Sequence, residues 1–215
     1  MKKKLMLTLI VVAFVVGPVW ALPTWNHGDP GTTYQNWYFD TYAGDPAHIA
    51  PDMYVNSYGT VEAAVTYSGT FGTAPVWNNG VWSGTSINFT ATIPNTPINN
   101  PDSYKYVVVD IGFKGNINLA NIITGTEPFT LLSHVESTYM IGSEVWTNVR
   151  EYYYISPNPA TENLCIALSV FGGTETQYLD YVTVDTLCAV PVPGAVILGS
   201  IGVGFVGWMK RRRSL

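Results

Sequence analysis

Over residues 145–155 the chain alternates two sets of side chains with a period of two. One set is Val145, Thr147, Val149, Glu151, Tyr153 and Ile155; the other is Trp146, Asn148, Arg150, Tyr152 and Tyr154. A strand sends successive side chains to opposite faces, so the second set lines rings, an amide and a guanidinium along one surface. Sugars present apolar C–H faces ringed by hydroxyls, and such a surface suits them. Trp146, Tyr152 and Tyr154 would stack, and Arg150 would fix hydroxyls or uronic carboxylates. The same pattern also serves a sheet with no ligand, because cross-strand aromatic pairs stabilise an outer face.

Other chemistry is less specific. Glycoside hydrolysis usually needs two carboxylates about 5 to 10 Å apart, and Asp110 with Glu144 or Glu151 is the least arbitrary pair. Fifteen acidic residues make some close pairs inevitable, so no catalytic residue is assigned and a noncatalytic protein is expected. His27, His48 and His134 are far apart and lack metal-ligand spacing, and there is no nucleophile elbow, phosphate loop or dinucleotide fingerprint. No catalytic cofactor is therefore expected. A structural calcium ion needs only oxygen ligands, which Asp40, Asp180 and Asp185 could supply. Trp77 and Trp82 flank an Asn79-Gly80 turn, and there the rings either grip a ligand or pack over one end of the fold.

The elements that hold these residues are strands. Between residues 22 and 189 no segment keeps a 3.6-residue period, whereas period-two runs recur between Gly, Pro and Asn clusters. Strands are expected at 36–41, 53–57, 61–71, 85–93, 104–114, 129–136, 145–155, 163–171 and 177–186. In 104–113, Val107, Val109, Ile111 and Phe113 oppose Tyr104, Tyr106, Val108 and Asp110. One core face and one polar or aromatic face per strand is what a two-sheet sandwich requires. The expected fold is all-β, an antiparallel β-sandwich of jelly-roll type in a single domain over 22–189.

Charge separates this body from both ends of the chain. Seven of ten Lys and Arg lie in the ends, leaving Lys105, Lys114 and Arg150 in the body with all fifteen Asp and Glu. Three cations against fifteen acids leave the body at a formal −12. Phosphate backbones would repel it, which excludes nucleic acid as a partner. At the N-terminus Lys2, Lys3 and Lys4 precede an apolar run that ends at Val19-Trp20-Ala21, so residues 1–21 read as a cleaved secretory signal.

The C-terminal end is more specific. Pro191, Val192, Pro193 and Gly194 precede a glycine-rich apolar run at 195–208, followed by Lys210, Arg211, Arg212 and Arg213. The run gives about 21 Å of helix at 1.5 Å per residue, against a hydrocarbon core of roughly 30 Å. It would hold the chain in the membrane with its basic end cytoplasmic. This order of parts over residues 190–215 resembles the PEP-CTERM sorting signal carried by exosortase substrates in bacteria with an outer membrane. The usual central Glu of that signal is Val192 here, which bears on the exosortase variant that would act. The resemblance implies cleavage near 191–194, exosortase and the secretion machinery as partners, and delivery to the cell envelope or extracellular matrix. A plain membrane anchor is the alternative.

In an exported chain Cys165 and Cys188 are expected to pair. The bridge would close a loop of about 22 residues and contribute roughly 3 kcal/mol. The alternative is two buried thiols, because Cys165 lies in an apolar strand. Residues 178–185 are similar to the last strand of carbohydrate-module jelly rolls, where Asp precedes an alternating apolar strand. The function expected is noncatalytic association with extracellular polysaccharide. A purely structural surface protein and a glycoside hydrolase are the alternatives.

Overall fold

The computed structural model describes residues 22–39, 45–66, 74–95, 103–118, 122–124, 128–169 and 174–189. The expected signal peptide, the sorting segment with residues 191–194 and 210–213, and Asp40 lie outside the described residues. Among the described residues, no helix is long and apolar enough to cross a membrane.

The strands in chain order are β1 (Thr32–Trp37), β2 (Met53–Val55), β3 (Glu62–Thr66), β4 (Val76–Asn78), β5 (Val81–Gly84), β6 (Ser86–Pro94) and β7 (Tyr104–Lys114). They continue with β8 (Ile117–Asn118), β9 (Ile123–Thr124), β10 (Phe129–Ile141), β11 (Glu144–Ile155), β12 (Thr161–Ser169) and β13 (Gln177–Ala189). They form two antiparallel sheets. The eight-stranded sheet runs β10-β11-β7-β13-β1-β2, with β5 on the start of β13 and β4 on β5. The five-stranded sheet runs β3-β6-β12-β8, with β9 also on β12.

Period-two patterning decides which side of each sheet is buried. From the larger sheet, Val107, Val109, Ile111, Phe113, Val182 and Val184 face inward. They meet Ile87, Phe89, Ile93, Leu164, Ile166 and Leu168 of the smaller sheet in one hydrophobic cluster. Each such side chain contributes about 1.5–3 kcal/mol on full burial. Trp37, Phe39, Trp82 and Phe89 close one part of the cluster with edge-on ring contacts at 5.2 to 6.4 Å.

The expected strands over 104–114, 145–155 and 85–93 lie within a residue of β7, β11 and β6. β1 starts at Thr32, earlier than expected, because its inward positions Thr33 and Gln35 are polar and break the apolar alternation. Thr33 Oγ1 lies 2.8 Å from Thr186 Oγ1. β10 extends five residues past its expected end, as an edge strand paired, among the described residues, only with β11. The Asn79-Gly80 turn has φ of 47° and 83°, the left-handed pair that a two-residue hairpin between β4 and β5 requires. Its tryptophans pack inward: Trp82 is buried, and Trp77 donates its Nε1–H to Phe39 O at 2.8 Å.

The expected disulfide is not formed; both thiols are free. Side-chain parity is the reason. Cys165 is on the face of β12 turned away from the core, where Sγ lies 3.3 Å from Asn88 Oδ1. Cys188 faces the interior from β13 in the other sheet.

Gly112 sits on the outer face of β7 directly beneath the rings of Tyr181 and Tyr139, where a methyl group would collide with both. Gly112→Ala should lower stability by about 1–3 kcal/mol through overpacking. Urea unfolding followed by circular dichroism reads this directly, and an unchanged midpoint would contradict the close packing.

Candidate functional site

The smaller sheet covers the inner face of the larger sheet over β7 and β13, leaving β10 exposed at the edge, and the outer face of β1, β13, β7 and β11 gathers the polar and aromatic side chains. Strand register builds that face in rows. One row crosses Tyr34 of β1, Asp185 of β13, Val108 of β7 and Tyr152 of β11; the next crosses Asn36, Thr183, Asp110 and Arg150. A β-bulge between Leu179 and Tyr181 sets the parity of β13. Beyond it Tyr181, Thr183 and Asp185 point outward while Val182 and Val184 point into the core.

Over these rows lies an open groove of about 570 Å³, with Trp25, His27, Tyr34, Tyr38, Tyr152 and Tyr181 among its rings. Asp110, Arg150, Thr183 and Asp185 supply its polar groups. The volume lies within the usual range of small-ligand sites, roughly 300–1,000 Å³.

One wall comes from the segment before β1. A turn closed by Asp29 N–H to Asn26 O at 3.1 Å, and by Asn26 N–H to Asp29 Oδ2 at 3.0 Å, folds this segment over β13. Trp25 Nε1–H then donates to Asp185 Oδ1 at 2.6 Å, and His27 Nε2 lies 2.8 Å from Asp185 Oδ2. The His27 ring stacks on Tyr34 at 3.8 Å. Tyr38, at the end of β1, is fixed by Asp52, whose Oδ2 accepts the backbone N–H groups of Tyr38 and Phe39 at 2.7 and 2.8 Å.

The floor is a charge-centred network. Arg150 Nε donates to Asp110 Oδ2 at 2.8 Å, and its Nη2 reaches the same oxygen. Asp110 Oδ1 accepts from Asn148 Nδ2 and, at 3.2 Å, from the Tyr181 hydroxyl. Asp110 is largely covered, while the Arg150 side chain keeps 51% of its surface exposed. Partial burial works against the guanidinium charge, but the adjacent Asp110 outweighs it and holds the Arg150 pKa above its ordinary value. The Tyr181 phenol is pushed up by burial and by Asp110, so it stays a neutral donor. Burial also raises the Asp185 carboxyl, countered only in part by Trp25 and His27.

Of the expected sugar contacts, Arg150 and Tyr152 line the groove. Trp146 does not: it is buried beneath Tyr139 and Tyr178, with ring centroids at 6.4 and 5.9 Å. Tyr154 belongs to a separate three-ring cluster with Tyr104 and Tyr106 at 5.4 and 5.7 Å. Asp110 and Glu151 are on opposite faces of the sheet. Glu151 points inward to His134 Nδ1 at 2.9 Å and to the Tyr153 hydroxyl, and Glu144 pairs with Lys114 at 2.9 Å. Asp185, held by Trp25 and His27, is instead the diagonal neighbour of Asp110 on the outer face. Asp180 accepts the Tyr139 hydroxyl at 2.7 Å. Among the described residues, no group of three or more His, Cys, Asp or Glu is arranged to hold a metal ion.

Sequence reading missed Trp25, His27, Tyr34, Tyr38, Tyr181 and Asp185 as one site. The signal available was the spacing of Tyr34, Asn36 and Tyr38, which puts all three on one strand face. Nothing local in the Trp25-Asn26-His27 segment says where it folds. Compared with protein-family models, with curated proteins and with solved structures, the chain matches none of them.

The raised Asp185 pKa makes the folded state bind more protons than the unfolded chain just above the ordinary carboxylate range. Stability should therefore fall as pH rises through that window. Asp185→Asn should flatten this part of the stability profile, measured by urea unfolding at a series of pH values. An identical slope in both proteins would contradict the assignment.

Proposed function

We propose that this is an exported, exosortase-sorted protein of the cell envelope or extracellular matrix that associates with extracellular polysaccharide without cleaving it. One observation carries the binding half of this reading: six rings and an exposed, anchored guanidinium share one open groove on the outer face of the larger sheet. Tyr152 offers a stacking face, and Asp110, Thr183 and Asp185 offer acceptors for hydroxyls. The half-exposed guanidinium of Arg150 suits sugar hydroxyls or uronic carboxylates. In this reading the body is of the jelly-roll kind used by carbohydrate modules. Routing is supported by the order of the ends: a basic-apolar leader at 1–21, and a proline break, short apolar run and basic stop at 190–215.

A second reading is favoured by the diagonal placing of Asp110 and Asp185 on one face, about 7–8 Å apart for such neighbours. Two carboxylates on one face are the pairing that a glycoside hydrolase requires. Both carboxylates are already engaged, Asp110 by Arg150 and Asp185 by Trp25 and His27, so association is the stronger reading.

Isothermal titration of the processed protein with polysaccharide from producing cells should show binding. Arg150→Met should weaken it about tenfold or more, as loss of a charge-assisted hydrogen bond worth roughly 1.5–3 kcal/mol implies. Absence of binding would favour a purely structural surface role, and release of reducing ends abolished by Asp110→Asn would favour hydrolysis.

In a host with an exosortase, the mature protein should lack residues 1–21 and the basic tail. Replacing Pro191, Val192, Pro193 and Gly194 with alanine should leave the tail attached and the protein in the membrane fraction. Immunoblotting with a tag after Arg213 reads this; equal tail loss in both proteins would contradict the sorting assignment.

A further inference from the structure

A second cluster lies away from the groove, in the interior at one end of the two sheets. Lys105 is at an inward position of β7, in line with Val107, Val109 and Ile111, and its side chain is 0% exposed. Glu162 faces it from β12 of the smaller sheet and is likewise 0% exposed. Asn95, the residue after β6, is buried beside them. Glu162 Oε1 accepts from Lys105 Nζ, and its Oε2 accepts from Asn95 Nδ2. The Asn95 carbonyl Oδ1 accepts from the Thr186 hydroxyl at 3.4 Å, and Thr186 is backed by Thr33 at 2.8 Å. Lys105 Nζ also donates to Pro159 O at 3.3 Å.

Burial alone gives no reason for this arrangement. Removing an ammonium and a carboxylate from water costs several kcal/mol for each ion, and an apolar pair of similar size would often serve stability as well. What the cluster adds is a primary amine and a carboxamide bridged by one carboxyl group, closed to water. Burial pushes the Glu162 carboxyl up to about 7, with Lys105 opposing, which makes it a better acceptor for the Lys105 proton than an ordinary carboxylate.

From this geometry we propose that Lys105 and Asn95 join in an intramolecular isopeptide bond, with Glu162 carrying the protons. Glu162 takes a proton from the Lys105 ammonium, leaving a neutral amine. The Nζ lone pair attacks Asn95 Cγ, and charge developing on Oδ1 meets the Thr186 hydroxyl. Glu162 passes its proton to Nδ2 as the Cγ–Nδ2 bond breaks, and the second Nζ proton follows by the same carboxyl group. One C–N bond forms and one breaks. Lysine ammonium plus carboxamide gives the Lys105–Asn95 amide plus ammonium, the second Nζ proton ending on the released ammonia, and no oxidant or co-reactant is needed. The link would tie the end of β6 in the smaller sheet to the start of β7 in the larger. It would do so whatever the redox state of Cys165 and Cys188.

Mass spectrometry of the purified, folded full chain tests this. The peptide containing both residues should be about 17 Da lighter than its sequence, the mass of ammonia. Cleavage before Asp102, between the two partners, should leave the flanking peptides joined, and trypsin should not cut after Lys105. Glu162→Gln should restore the sequence mass and let the peptides separate. Asn95→Asp offers a second check, because a bond formed from a carboxylic acid expels water and lowers the mass by about 18 Da. A wild-type chain at sequence mass would overturn the proposal. So would a 17 Da loss whose two peptides separate, because that marks a succinimide within one peptide.

Discussion

The pairing of β13 along both edges is the constraint on which the rest of the molecule depends. β7 holds one edge over nearly its whole length, while β5 and then β1 share the other. A one-residue slip in any of these ladders would turn Val182 and Val184 outward and bring Tyr181, Thr183 and Asp185 into the core. Burial of the valines against β6 and β12 opposes that slip, so hydrophobic energy spent on one face fixes the geometry of polar groups on the other. The Leu179/Tyr181 bulge is the local device that matches the two stretches of β13 to their different neighbours.

The two polar constellations obey different physics because they lie on opposite sides of that sheet. On the outer face, Arg150 and Asp110 keep access to water, so their pairing orients the guanidinium more than it stabilises the fold. In the interior, Lys105 and Glu162 have no water to fall back on; each depends on the other, Glu162 also on Asn95 and Lys105 also on Pro159 O. The first arrangement suits reversible contact with a ligand; the second suits a reaction that happens once and stays.

Strands were legible where the apolar alternation was clean. Val107, Val109, Ile111 and Phe113 define β7, and Ile87, Phe89, Ala91 and Ile93 define β6. The pattern fails in β1, where Thr33 and Gln35 occupy buried positions. It also fails in β10, an edge strand exposed along most of its length and paired with β11. Site residues were half legible. Strand parity put Arg150 and Tyr152 on one face, the one that bears the groove, but parity cannot say that Tyr139 and Tyr178 cover Trp146, or that 23–27 folds back onto Asp185. The buried cluster did leave a trace: Lys105 occupies a core-facing position in an otherwise apolar series, and a lysine there needs a partner. Which partner depends on contact between sheets, which no local pattern encodes.

The reading of the molecule as a polysaccharide-associating module turns on whether ligand enters the groove under Trp25 or meets the protein elsewhere. Nuclear magnetic resonance of the processed protein, titrated with polysaccharide from producing cells, separates these cases. Shifts centred on the Trp25 indole N–H and the Arg150 Nε–H, with the Tyr104, Tyr106 and Tyr154 cluster unmoved, are the predicted result. Shifts confined to that cluster, or none at saturating polysaccharide, would contradict it.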